Sequence, residues 1–155
     1  MPKFYILAGM PGSGKSTTAK DLFREGVIIV STDAIRLALN SDQYPRGERY
    51  ILLDPTVWKI TEQVIRDLLQ QKIDIAIDAT NLNRESRSKW KELVLKYGGP
   101  TYKTIIIWHN GKFDSPERWS NERSVPLDEY NRIINSLRLK LEVPVDSECD
   151  ELIFK

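Results

Sequence analysis

The chain is poor in the residues that most often hold metals or staple small folds. It has one cysteine, Cys149, and one histidine, His109, in 155 residues. A single cysteine excludes an internal disulfide and fits a reducing compartment. A single histidine leaves a His-based acid–base pair or a His/Cys metal site without partners. Followed by Asn110-Gly111, it reads as a turn residue. An excess of charge is also lacking: 23 basic and 22 acidic side chains give +1. A dedicated duplex-binding protein is usually far more basic, so any grip on a polyanion here has to be local. There is no long apolar run. Phe4-Tyr5-Ile6-Leu7-Ala8 is far too short for a signal peptide or a membrane span, so a cytoplasmic protein with no membrane partner is expected. Repeats, low-complexity tracts and flexible linkers are absent as well. At 155 residues the expectation is one domain, 1–155.

What is present alternates in type. Short apolar runs at Phe4–Ala8, Val27–Val30, Ile73–Ile77, Lys103–Trp108 and Leu152–Phe154 read as buried strands. Helical patterns lie between them. One runs from Ser16 to Glu25. A second starts at Asp54-Pro55, an N-cap acid followed by proline, with Val57, Ile60, Val64 and Leu68 at helical spacing. A third is capped by Asn83, carries Trp90, Leu93, Val94 and Tyr97, and ends at Gly98-Gly99-Pro100. Pro126 opens a fourth, with Leu127, Tyr130, Ile134, Leu137 and Leu141 on one side. This alternation predicts an α/β fold in three layers: a small parallel sheet of about five strands with helices on both faces. Ligands of such sheets bind beyond the carboxyl ends of the strands. The chemistry is therefore expected after Ala8, Val30, Ile77 and Trp108.

The segment after the first strand is Gly9-Met10-Pro11-Gly12-Ser13-Gly14-Lys15-Ser16-Thr17. It matches G-x-x-x-x-G-K-[ST] in full, between a strand and a helix, which is the context that gives the motif its meaning. Glycine lets successive amides turn inward on phosphate oxygens, and the following helix points its positive end at them. Gly9, Pro11, Gly12, Ser13, Gly14, Lys15, Ser16 and Thr17 are thus candidates to hold ATP or another nucleoside triphosphate. Lys15 is placed to reach the β- and γ-phosphates and Ser16 to ligate Mg²⁺.

After the second strand, Thr32 reads as the cap of a short helix on which Asp33 and Arg36 share a face. At a strand's carboxyl end, that carboxylate is a candidate general base and the arginine a candidate phosphate clamp. The plainer alternative is a surface i,i+3 ion pair. After the third strand, Asp78 is a candidate for orienting the metal, Thr80 and Asn81 for contacting the acceptor, and Asn83 for capping a helix. After the fourth, segment 114–124 carries Arg118 and Arg123. It reads either as a lid that brings arginine to the moving phosphoryl group, or as a solvated helix face with Glu117 and Glu122 as partners. Among the tryptophans, Trp58, Trp90 and Trp108 read as core, and Trp119 as a candidate for stacking on a base.

Taken together, the glycine-rich loop, Ser31-Thr32-Asp33-Ala34-Ile35-Arg36, Asp78-Ala79-Thr80-Asn81-Leu82-Asn83 and Val125-Pro126-Leu127 resemble the kinase domain of bacteriophage-type 5′-polynucleotide kinases, in the same order and over nearly the whole chain. The resemblance implies an adenylate-kinase-like P-loop kinase fold. It implies Asp33 as the base that deprotonates a 5′-hydroxyl, Arg36 as the clamp on the acceptor's 3′-phosphate, Arg123 as the lid arginine and Val125 as a contact to the acceptor. Two departures stand out. In the family an acid directly precedes the threonine of Thr-Asn-Leu-Asn, where this chain has Ala79 with Asp78 one position back. The lid stretch before Val125-Pro126 is also shorter. The family's Asp-x-Asp phosphatase partner domain is absent, so the resemblance implies either end-healing split between chains, with a separate phosphatase or ligase partner, or a need for phosphorylation alone.

Three functions compete on these residues: a 5′-hydroxyl nucleic-acid kinase using ATP and Mg²⁺, a small-molecule kinase for a metabolite, nucleoside or antibiotic, and a nucleotide-dependent switch.

Overall fold

Strand β1, Lys3–Gly9, forms the middle of a five-stranded sheet whose neighbours are all parallel. In this computed structural model, residues 1–110, 116–123 and 125–155 are described, with the backbone alone for 116–119. The element order is β1, α1 (Lys15–Arg24), β2 (Ile28–Ser31), α2 (Thr32–Leu39), α3 (Glu48–Gln70), β3 (Ile75–Asp78), α4 (Arg84–Leu93), β4 (Lys103–His109), α5 (Pro116–Arg123), α6 (Leu127–Arg138) and β5 (Glu151–Phe154). The strands lie in the order β2-β3-β1-β4-β5.

The pleat sorts the core. Phe4, Ile6, Ile75, Ile77 and Ile106 face one side and pack with Ile65 and Leu69 of α3 and with Trp90 of α4. Tyr5, Leu7, Ala76, Ile105 and Ile107 face the other and pack on Ala19 and Leu22 of α1. A parallel strand buried on both faces has no polar side, which is why these strands are apolar runs rather than alternating ones. Beyond the sheet, Ala8, Met10 and Trp108 meet Val125, Tyr130 and Ile134 and so fasten α6 to it. Among the described residues no helix is long and apolar enough to cross a membrane.

The α/β architecture expected from the sequence is the one observed, but four local expectations change. Helix α2 is capped by Ser31, whose hydroxyl accepts from the Ala34 amide at 3.2 Å, and not by Thr32. Helix α3 starts at Glu48 after Gly47 and runs on through Pro55. The proline removes one amide donor from the helix interior, a local cost. Val57, Thr61, Ile65 and Leu69, buried at four-residue spacing, hold the helix through it. Ile60, Val64 and Leu68 lie to the side of that stripe. Helix α6 stops at Arg138, and Leu127 and Leu141 are exposed. Asn83 does cap α4, accepting from the Ser86 amide at 2.9 Å. His109 is no turn residue: it ends β4 and is buried.

Register then decides where the chemistry can sit. Asp78 pairs with Leu7 on one side and with Ser31 on the other, and Gly9 pairs with His109. The carboxyl ends of four strands therefore meet along one edge, at the start of the glycine-rich loop.

Candidate active site

The loop between β1 and α1 is built for close approach. Gly9 has φ 146, and a β-carbon there would lie 2.8 Å from the His109 carbonyl oxygen and 2.8 Å from Ser13 Oγ. Gly14, at φ 104, stands in the left-handed region directly before α1. The Gly9 amide donates to the Thr80 carbonyl at 2.9 Å, tying the loop to the end of β3.

His109 supports the loop from below. Its Nδ1 lies 3.2 Å from the Ala8 carbonyl, which can only accept, so Nδ1 carries the proton. Its Nε2 then accepts from the Thr18 hydroxyl at 2.7 Å. Burial pushes the imidazole pKa down, the Ala8 carbonyl opposing this and Lys15 adding to it.

Lys15 is buried, and its ammonium donates to the Gly9 and Met10 carbonyls at 2.8 and 2.9 Å. Burial lowers its pKa to about 8, against the pull of Asp78 and Asp33. The Asp78 carboxyl is pushed up by burial, with Lys15 opposing and Asp33 adding to the rise. Gly14, Ser16 and Thr17 are exposed at the mouth of the loop, while Ser13 Oγ is buried without a partner among the described residues. A glycine cradle, an orphaned hydroxyl and a lysine beside a carboxylate fit a nucleotide's phosphates. Ser16 and Asp78 supply the hard oxygen donors that Mg²⁺ prefers.

Opposite the loop, Asp33 accepts from Arg36 Nη1 at 3.0 Å through one oxygen and from Arg123 Nη2 at 3.4 Å through the other. The Arg36 side chain is 7% exposed. That is unlike the open Arg24–Asp21 pair, 74% and 54% exposed, which belongs to a class worth about 0–1 kcal/mol. The Asp33–Arg36 pair thus joins a buried guanidinium to a carboxylate that is 42% exposed to the cleft. Arg36 also reaches Asp54 of α3 at 2.7 Å and lies over the Tyr50 ring. Arg123 lies over the Tyr44 ring. All these groups, with Thr80, line one cleft of about 460 Å³. A separate groove of about 560 Å³ between α3 and α4 meets this cleft at Trp58 but is lined by no residue of the loop.

Two residues expected to contact an acceptor do not line the cleft. Asn81 is buried in the left-handed region, at φ 45. Its amide donates to the Leu7 carbonyl at 2.7 Å and accepts from Trp90 Nε1 at 2.8 Å. Its own carbonyl accepts from Arg87 at 3.0 Å. Arg87, fully buried, grips Glu148 through Nε at 2.9 Å. Asn81 is thus a bolt between β1, β3 and α4. Val125 is buried in the core under α6, and its carbonyl accepts from the Ser120 hydroxyl. Of the expected lid, 114–124, positions 114, 115 and 124 lie outside the described residues, as do the side chains of Glu117, Arg118 and Trp119. Helix α5 brings Arg123 to Asp33.

Sequence reading missed Tyr44, Tyr50, Asp54 and Trp58 as cleft residues. The last three recur at four-residue spacing on α3, a signal masked by the assumed helix start at Asp54.

Residues 5–118 match the family model described as AAA domain. The chain belongs to that family. No curated protein matches this AAA domain significantly. Among solved structures, it is similar to a chain of the Pnkp1/Rnl/Hen1 complex, at 25% identity and TM-score 0.58 over 77% of its length. It is also similar to a chain of the Pnkp1/Rnl/Hen1 RNA repair complex, at 22% and 0.62 over 90%. The AAA domain spans 38% and 45% of those chains. A gluconokinase from Sinorhizobium meliloti 1021 shares the fold at 16% identity and TM-score 0.52, with 99% of this chain and 81% of that one covered. The fold is the one shared with P-loop kinases.

Proposed function

We propose that this AAA domain is a phosphotransferase that moves the γ-phosphate of ATP to the 5′-hydroxyl of a nucleic-acid end. The observation that carries the reading is the Asp33 carboxylate, flanked by Arg36 and Arg123, in one cleft with Lys15 and the glycine-rich loop. The loop amides, Lys15 and Ser16 hold the triphosphate tail; Ser16 and Asp78 hold Mg²⁺, which supplies charge neutralisation when bound. Asp33 accepts the proton of the attacking hydroxyl as that oxygen bonds to phosphorus and the ADP oxygen leaves. Arg123 stabilises charge on the transferring group, a role left open for Arg118. Arg36 holds the acceptor's 3′-phosphate, and Thr80 borders the acceptor on the β3 side. The arrangement contributes positioning and electrostatics rather than covalent catalysis.

The nucleic-acid acceptor is supported by the combined motif set and by the fold likeness to Pnkp1 chains. One of those neighbours is a chain of an RNA repair complex, which supports action alongside a separate companion chain here. The test is transfer of label from γ-labelled ATP with Mg²⁺. The acceptor panel holds 5′-hydroxyl DNA and RNA oligonucleotides beside sugars, nucleosides and aminoglycosides. Label at the 5′ end, with salt-sensitive oligonucleotide binding, is expected. Label on a small alcohol alone would replace this reading with a metabolite kinase.

A further inference from the structure

Arg36 is gripped from two helices at once. Nη1 donates to Asp33 on its own helix, and Nη2 donates to Asp54 on α3 at 2.7 Å, the shorter of the two bonds. The Arg36 Cζ lies over the Tyr50 ring, 4.9 Å from its centroid. Tyr50 and Asp54 are one helical turn apart, so a single face of α3 supplies both a carboxylate and a ring contact. An arginine on a surface helix samples many rotamers. This one, with its side chain 7% exposed, has its plane fixed by two carboxylates and a ring. Asp33 alone cannot fix it, because its second oxygen is engaged with Arg123. Asp54 takes no part in the proton or phosphoryl transfer outlined above, yet it lines the same cleft.

We propose that Asp54 is a positioning residue that holds the Arg36 guanidinium in the orientation needed to receive the acceptor's phosphate, and so sets affinity for the acceptor and not for ATP. This rests on Arg36 being the acceptor clamp. When Asp54 loses its charge, its hold on Nη2 weakens, and the guanidinium samples other orientations. Acceptor binding then has to restore the one that receives the phosphate.

Two measurements on the full chain test it. In steady-state kinetics with a 5′-hydroxyl oligonucleotide, Asp54→Asn raises KM for the oligonucleotide roughly tenfold, the scale of one charged hydrogen bond. KM for ATP changes by less than about twofold. In an Arg36→Ala background the same change has no further effect, an outcome that a merely structural role would not produce. Asn keeps the shape of Asp, and Asp54→Glu, which keeps the charge, restores part of the affinity. An unchanged acceptor KM, an equal rise for ATP, or full additivity with Arg36→Ala overturns the proposal. Independently of any acceptor, side-chain NMR of the wild type shows separate Nη proton signals for Arg36, because rotation about Nε–Cζ is blocked, and Asp54→Asn averages them. Free rotation in the wild type overturns the proposal. If no oligonucleotide is phosphorylated, the acceptor reading fails alone and the NMR result decides the role of Asp54.

Discussion

The two walls of the cleft are made in different ways. The donor wall is backbone: residues 9–17 in one continuous stretch from β1 into α1, with left-handed glycines, an amide bonded to Thr80 and a histidine underneath. The acceptor wall is side chain: Asp33 and Arg36 from α2, Tyr50 and Asp54 from α3, and Arg123 from α5, joined by ion pairs and ring contacts. Backbone geometry set by glycine tolerates almost no substitution but recurs wherever phosphate is held. Side chains from three helices can be exchanged one at a time without moving the sheet. Under the proposed function, the loop would supply what any phosphate donor needs, and the choice of acceptor would be set on α2 and α3.

The comparison is sharpened by changes that reach one wall only. The largest effect is expected for Lys15→Ala, which removes the cation at the transferred phosphate. It should lower kcat/KM about a thousandfold, while equilibrium binding of an oligonucleotide stays within about twofold of wild type. Loss of oligonucleotide binding as well would show that the walls are not separable. Next comes Arg87→Ala, behind both walls. It leaves Glu148, 7% exposed in its side chain, without its cation, and is expected to destabilise the chain by about 3 kcal/mol in urea unfolding. A change below about 1 kcal/mol would mean that the pair is solvated. His109→Ala removes the support under the loop and is expected to weaken ATP about tenfold by calorimetry, with acceptor affinity unaltered. The smallest effect is in pH. Lys15 has its pKa lowered to about 8, so above that value the free protein loses the proton that a bound triphosphate needs. ATP affinity should fall about fivefold from pH 8 to pH 9, with proton uptake on binding. A flat profile to pH 9.5 would place the Lys15 pKa higher.

The donor wall was legible in the sequence because its information is contiguous: nine residues specify turn, charge and helix start together. The strands were legible too, since Phe4–Ala8 and Ile105–Ile107 are buried on both faces and read as apolar runs. The acceptor wall was legible in part. Asp33 and Arg36 lie a turn apart on one helix, so spacing found them. Asp54 was hidden because Asp-Pro is a strong start signal, and local propensity was overridden by the burial of Val57, Thr61, Ile65 and Leu69 along one face of the helix. Asn81, just past the end of β3, and Val125, just before α6, are motif residues that the fold turns inward. Only three-dimensional neighbours, Trp90, Arg87 and Leu7 for Asn81, distinguish a bolt from a ligand contact.

The central claim is that the Asp33 carboxylate acts on the acceptor's hydroxyl and not on ATP. The direct measurement is single-turnover label transfer from ATP to a 5′-hydroxyl oligonucleotide by Asp33→Asn, beside its ATP affinity. A rate at least about a hundredfold below wild type with ATP affinity retained is the expected result. Transfer at a near wild-type rate, or loss of ATP binding in step with activity, would contradict it.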